Sequence, residues 1–287
     1  MHEDTKLLSM WVLGGDGRYP WAVRALQKSG LHVKTWGVPG YEDDCVHLKE
    51  ALREADLVLL SMKPFQGELL KIGPAEMEAA LLPRNMKKGA ILIAGEVPPE
   101  IEGWLQSQGI QVRSFLDAES YQMANAAVTA EGAVFLAMRE LSRTISGGEF
   151  LVIGWGRIGR FLSAKLQALG AKVTVSARRE GQWAEIESLG LRPEETGHYH
   201  HDLGEYDGVF NTVPAPVLSA EQEKLLKPGC LLVELASEPG GFAAETVERG
   251  AVLVARGLPG KTAPETAGEN LAAGVWACLT GEGRTLE

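Results

Sequence analysis

Short apolar runs alternate with amphipathic stretches along most of the chain. In the first 120 residues, Lys6 to Leu13, Leu31 to Trp36, Asp56 to Met62, Gly89 to Ala94 and Ile110 to Phe115 have the length and apolar content of strands. Asp56 to Met62 (DLVLLSM) is apolar almost throughout, as a strand covered on both faces must be. Between these runs, three segments read as helices: Trp21 to Lys28 stopped by Gly30, Cys45 to Arg53, and Pro98 to Gln108 with proline near its start. The alternation predicts a parallel sheet. A glycine turn, Gly14-Gly15-Asp16-Gly17-Arg18, follows the first strand. Open sheets place ligands at such carboxyl ends, although Gly14 and Gly15 also suit a plain tight turn.

From about Gln122 the pattern changes to small and apolar residues at helical spacing, MANAAVTAEGAVFLAMRELSRT, closing at Gly147-Gly148. This predicts a long connecting helix over 121–146, with the glycine pair as a hinge. Thr129, Glu131 and Gly132 interrupt its apolar run, and either face a cleft or are satisfied internally.

A second alternating unit follows. Phe150 to Ile153 reads as a buried strand, Gly154, Gly156 and Gly159 stand at G-x-G-x-x-G spacing, and Ile158, Phe161, Leu162, Ala164, Leu166 and Leu169 recur as a helix up to Gly170. A second strand runs from Ala171 to Ser176. In this context the glycines have separate tasks. Gly154 allows the turn, Gly156 lets backbone approach a pyrophosphate, and Gly159 lets helix and strand pack closely, while the helix N-terminus faces the anion. The segment Gly154, Trp155, Gly156, Arg157, Ile158, Gly159 is therefore read as a dinucleotide site. An NAD site usually carries Asp or Glu at the end of the second strand. Here the chain reads Ser176, Ala177, Arg178, Arg179, and guanidinium groups suit a 2′-phosphate, so NADP is favoured. Glu180, one residue late, leaves NAD open. Further strands, Tyr206 to Asn211, Cys230 to Leu235 and Ala251 to Ala255, end in NTVP, ASEPGG and RGLPGKTAP. Asn211, Thr212, Val213 and Pro214 then stand where nicotinamide and its ribose usually lie. A last helix, about Ala263 to Leu279, is expected to pack back on the first domain.

The predicted fold is α/β: two parallel-sheet, Rossmann-like domains facing a cleft. A flavodoxin- or Rossmann-like substrate domain spans 1–120, the connecting helix 121–146, the NAD(P)-binding domain 147–262, and the returning C-terminal helix 263–287. Composition agrees with a soluble globular chain, at 45% hydrophobic and 23% charged residues. A net charge of −10 with both signs interspersed shows no nucleic-acid footprint and no anionic-membrane patch. MHEDTKLL lacks the features of a signal peptide and no run approaches a membrane span, so cytoplasm is expected. Cys45, Cys230 and Cys278 have no metal or disulfide spacing, and HYHHD (His198 to Asp202) reads as a surface loop or short helix at the sheet edge; no metal site is read.

With GGDGR, TAEG, GWGRIGR, SARR, NTVP, ELASEPGG and GLPGKTAPETAG in that order, the chain resembles the A-subunit family of dipicolinate synthase over nearly its whole length. The last two motifs are the most specific. The resemblance implies NAD(P)-dependent oxidation of a dihydrodipicolinate-type compound to pyridine-2,6-dicarboxylate in the mother cell of a sporulating bacterium. It also implies a partner, the flavoprotein-like B subunit of dipicolinate synthase; a homo-oligomer is left open. Aromatisation drives such a reaction, so positioning should dominate catalysis. A dicarboxylate substrate needs cationic and hydroxyl donors. Arg18, Lys63 and Thr129 are the candidates for binding it, and Lys261, Thr262, Ser237 and Glu131 for the catalytic set, with Glu131 or Lys261 as acid or base. Two alternatives stand beside this reading. One is an NADP-binding scaffold whose chemistry needs the B subunit. The other is a 2-hydroxyacid-dehydrogenase-like enzyme, whose Arg and Glu–His pattern Arg256, Glu234 and the histidines do not reproduce.

Overall fold

The computed structural model describes residues 8–73 and 75–281. In chain order the first elements are β1 (Ser9–Leu13), α1 (Tyr19–Lys28), β2 (His32–Trp36), α2 (Leu48–Glu54), β3 (Leu57–Leu59), β4 (Phe65–Gln66), β5 (Leu69–Ile72), β6 (Ala75–Glu78), α3 (Leu82–Asn85), β7 (Ile91–Ala94), α4 (Pro99–Ser107) and β8 (Gln111–Ser114). The long helix α5 (Glu119–Glu140) leads to β9 (Glu149–Ile153), α6 (Arg157–Ala168), β10 (Lys172–Ala177), α7 (Glu180–Ser188), β11 (Arg192–Glu195), β12 (Gly208–Asn211), α8 (Ala220–Glu223), β13 (Leu231–Glu234), α9 (Ala244–Glu248) and β14 (Val252–Val254). Two helices close the chain, α10 (Leu258–Thr262) and α11 (Pro264–Thr280). Lys6 and Leu7 of the expected first strand lie outside the described residues.

The chain divides into two compact units, 1–125 with 259–287, and 126–258. The boundaries fall inside α5 and inside α10, rather than at 120 and 262. In the first unit β2-β1-β3-β7-β8 form one parallel sheet. Counting only these strands the order is 2-1-3-4-5, the flavodoxin order, whose direction reverses between β1 and β3. Trp11, Leu13, Val58 and Leu92 face one core and Met10, Val12, Leu57 and Ile93 the other, as period-two alternation requires in a doubly covered sheet. The C-terminal helix α11 belongs to this unit and lies on α1. A Cβ at Gly268 would stand 2.4 Å from the Arg18 carbonyl oxygen, so glycine sets how closely the helices approach. Leu271, Ala272 and Val275 fill the seam with Leu26.

In the second unit the sheet runs β11-β10-β9-β12-β13-β14, all parallel, the 3-2-1-4-5-6 order of dinucleotide-binding domains. At its carboxyl margin the register sets Glu194, Ser176, Ile153, Asn211 and Glu234 side by side, all buried. In-register residues of a parallel sheet share a face, so these five side chains turn the same way.

Several expected elements shift. α5 begins at Glu119 and ends at Glu140, well short of Gly147-Gly148. The glycine pair is not a hinge: it is pinned within the second unit. Gly147 N donates to Gly170 O at 2.9 Å, and buried Asp207 accepts from Glu149 N at 2.9 Å while pairing with Arg143 at 2.8 Å. The strand expected over Asp56 to Met62 contracts to β3 because Lys63-Pro64 turn the chain into a small antiparallel meander, β4-β5-β6, that the apolar pattern does not show.

Candidate functional site

At the carboxyl end of β9, the switch point of the second sheet, the chain turns through Gly154 at φ +106°, a left-handed conformation that glycine adopts without strain. A Cβ there would lie 2.5 Å from Thr212 Oγ1, and one at Gly159 would lie 2.0 Å from Gly154 O. At Gly156 no atom stands within 4 Å of an added Cβ. Two glycines are thus closed by packing and the middle one opens onto space. A cavity of about 350 Å³ lies there, lined by Gly154, Trp155, Gly156, Arg178, Arg179, Thr212, Val213 and Pro214. The N-terminus of α6, twelve residues long, has no side-chain cap at Gly156, and the amides of a helix's first turn are the donors an anion takes. The cradle fits a dinucleotide.

Three further residues line the cavity without any signal in the sequence: Ala177, Gln182 and Thr196. Gln182 stands on α7 and Thr196 just past β11, two short elements whose charged sequences, EGQWAEIES and RPEE, carry no strong apolar period. Trp155 is held by a network. Its indole N–H donates to Glu185 Oε2 at 2.9 Å, Arg160 pairs with the same carboxylate at 2.5 Å, and the Arg160 guanidinium lies 5.0 Å from the indole ring. Bonding to Trp155, helped by Arg160, holds the Glu185 carboxyl below its usual range.

Other expected residues stand elsewhere. Ser176 is fully buried and accepts from Thr196 Oγ1 at 3.2 Å, beneath the cavity wall rather than in it. Asn211 is likewise buried: its amide donates to Val213 O at 2.8 Å and Glu234 Oε1 at 2.7 Å, and its carbonyl accepts from Val213 N. It shapes the turn carrying Thr212 to Pro214. Glu234 also accepts from Ala236 N and Gly241 N, which folds the ASEPGG segment around one buried carboxylate. Arg157 is exposed and Ile158 packs on the core behind the turn; neither lines the cavity. Ser237 is exposed, Thr129 is buried, and Glu131 is exposed with Lys165 3.5 Å away.

In the first unit, Asp16 and Arg18 form a bidentate pair. Arg18 Nε and Nη2 donate to the two carboxylate oxygens at 2.9 and 2.6 Å, and Arg18 N adds a third bond at 3.1 Å. Burial alone would raise the Asp16 carboxyl; the bonds and charge of Arg18 outweigh it and leave the group below its usual range. Tyr19, fully buried, donates to Leu60 O at 2.9 Å, and burial pushes its hydroxyl far up. A Cβ at Gly260 would meet the Arg18 side chain and Asp16 Oδ1 at 3.3 Å, so α10 brings exposed Lys261 and half-buried Thr262 to the same corner. Lys63, exposed, pairs with Glu96 at 2.9 Å at the ends of β3 and β7.

His198 to Asp202 form a loop beside edge strand β11. Buried Glu194 accepts from the backbone N–H of His200 and His201 and contacts the His201 ring. Among the described residues no group of His, Cys, Asp and Glu could hold a metal, and no helix is long and apolar enough to cross a membrane. The three cysteines are free and half-buried, and burial pushes the Cys230 thiol up to about 12 and that of Cys278 to about 11.

Comparison with known proteins places these features. Residues 9–116 match the family model for the N-terminal domain of the dipicolinate synthase A chain. The chain is 26% identical over 277 residues to the A subunit of dipicolinate synthase from Bacillus subtilis (strain 168), covering 92% of this chain and 93% of that protein. The crystal structure of the A subunit of dipicolinate synthase from Bacillus halodurans superposes with a TM-score of 0.80 at 24% identity, over 95% of this chain and 97% of that one. A transhydrogenase from Sinorhizobium meliloti superposes with a TM-score of 0.69 at 19% identity, over 94% and 95%. The last two are likenesses of fold.

Proposed function

From a chain that belongs to the A-subunit family of dipicolinate synthase, we propose oxidation of a dihydropyridine-2,6-dicarboxylate to the aromatic pyridine-2,6-dicarboxylate. One hydride passes to NADP⁺ and one proton is released, so the products are dipicolinate, NADPH and H⁺. The observation that carries the reading is the open cradle at Gly156, with Arg178 and Arg179 and no acidic residue among the cavity's lining.

NADP, when bound, supplies the carbon that accepts the hydride. The chain's own residues do the rest. Gly156 and the first turn of α6 would hold the pyrophosphate, and Arg178 with Arg179 would pair with the 2′-phosphate. Thr212, Val213 and Pro214, which line the same cavity, would wall the nicotinamide end. The substrate's carboxylates are met by donors of the Arg18 corner, with Lys261 and Thr262 standing beside the Asp16–Arg18 pair, and the proton leaves to water. Lys63, Ser237 and Thr129 are the remaining donors of the proposal, while Glu131 leans on Lys165. A second subunit of the B type, a cytoplasmic setting and a role in spore formation belong to the same proposal.

The test is titration of the purified chain with NADP and with NAD, followed by freshly generated dihydrodipicolinate while nicotinamide absorbance is recorded. NADP binding with turnover is expected. Binding without turnover until the B subunit is supplied would move the chemistry to a complex, and absence of nucleotide binding would overturn the reading of Gly154 to Gly159.

A further inference from the structure

The meander β4-β5-β6 adds no strand to the main sheet of its unit, yet with α4 it builds a groove of about 530 Å³. The floor is apolar. Pro98, Ile101 and Trp104 line one side and Ala79 and Ala80 the other, Ile101 and Trp104 lying one turn apart on α4 while neighbouring Leu105 is fully buried in the core. α4 turns Ile101, Trp104 and Leu105 to one side; Leu105 is covered by the core, while Ile101 and Trp104 pack on it only in part and leave the rest of their surface to the groove.

The rim is acidic. Glu68 stands at the β4–β5 turn, Glu78 at the end of β6 and Glu100 in the first turn of α4, and no Lys or Arg lines the groove. None of the three forms an ion pair among the described residues, whereas acidic residues nearby do: Glu76 pairs with Lys71 at 3.0 Å and Glu96 with Lys63 at 2.9 Å. Three like charges around an apolar trough repel one another, and a cationic occupant relieves them while covering Trp104.

We propose that this groove docks a segment of a second, different polypeptide that presents an apolar side chain between basic residues. The apolar group seats against Trp104 and Ile101, and the flanking lysines or arginines reach Glu68, Glu78 and Glu100. Charge complementarity selects this occupant over a second copy of the chain, whose net charge is −10. The Bacillus subtilis relative is, by its name, one subunit of a larger assembly.

The experiment uses the full chain and three short labelled peptides: leucine and lysine at helical spacing, the same peptide with glutamate for lysine, and the lysine peptide with serine for leucine. The leucine–lysine peptide is expected to bind at least roughly tenfold more tightly than either control, and more weakly as NaCl rises from about 0.05 to about 0.5 M. Hydrogen-exchange protection should fall on residues 65–80 and 98–104. Changing Glu68, Glu78 and Glu100 together to Gln should cost roughly tenfold, and A80R, at an exposed position, should block the groove without touching the core. Equal binding of the glutamate peptide, protection elsewhere, or protection of this face that grows with protein concentration alone would overturn the proposal, the last in favour of self-association.

Discussion

The glycine turns after β1 and β9 stand at equivalent places, each after the first strand of a parallel sheet and where the strand order reverses. Their interiors differ. In the second unit Gly156 faces open space and two arginines flank the cavity. In the first unit the turn is filled from within: a Cβ at Gly15 would stand 2.1 Å from the Tyr19 ring, and the Asp16 carboxylate lies on Arg18 where an external anion would otherwise sit. One turn is left open, and the other is filled by its own carboxylate and ring. Similar strand order and a similar glycine-rich turn therefore do not give a similar site; the side chains behind the turn decide.

The sharpest way to break this contrast is to close each turn. G159A drives a methyl to 2.0 Å from a backbone carbonyl and should cost about 3 kcal/mol and abolish nucleotide binding. G15A, at φ +114° against the Tyr19 ring, should cost about 2–3 kcal/mol yet leave nucleotide affinity as it was, measured on the folded fraction. Denaturant unfolding and NADP titration of both variants check this. If G15A weakened nucleotide binding as G159A does, the two turns would not be independent. Next in size, R178A/R179A should weaken NADP roughly 100-fold, about 2.7 kcal/mol, and NAD hardly at all, because the lost bonds are charge-assisted ones to the extra phosphate. Equal losses for both nucleotides would show that the arginines hold the pyrophosphate. Smaller again, G156A, at a φ of −87° with no neighbour within 4 Å, should leave stability unchanged and cost roughly tenfold in NADP affinity.

These turns also show how far the residues alone reach. The spacing of Gly154, Gly156 and Gly159 predicts a tight turn, an open approach and a close packing contact, and the geometry has a positive φ at Gly154, open space at Gly156 and backbone against Gly159. What spacing does not tell is which way a strand residue points at its end. Their places at the carboxyl ends of β10 and β12 mark Ser176 and Asn211 as cofactor ligands, but both share a buried register row with Glu194 and Glu234, and the cavity is lined by the residues one step further on, Ala177 and Thr212. A single-residue phase reverses the face. Gln182 and Thr196 give no signal because α7 and β11 have weak patterns; Pro193 inside RPEE argues for an edge strand only once the neighbouring strands are known. The meander is hidden for a related reason. Its strands are short and half-exposed, so the turn glycines Gly67 and Gly73 stand without a clear strand pattern between them.

Asp16 gives the finest distinction between the turns, because an internal anion titrates with the fold. The Asp16 carboxyl lies below its ordinary value of 3.8, so the pair with Arg18 stabilises the chain fully above that pH and is lost as pH falls through the lower, folded value. Its side chain is 49% exposed, and solvent screening holds the contribution to about 1 kcal/mol. D16N should therefore be less stable than the parent by that amount at neutral pH, with the gap closing as pH drops into the acid range, in urea unfolding followed at several pH values. A gap that stayed constant would mean that Asp16 acts through the geometry of its turn, since the amide of asparagine can keep the bond to Arg18 N but carries no charge for the guanidinium. NADP affinity should not change in D16N, because the anion it removes belongs to the filled turn and not to the open one.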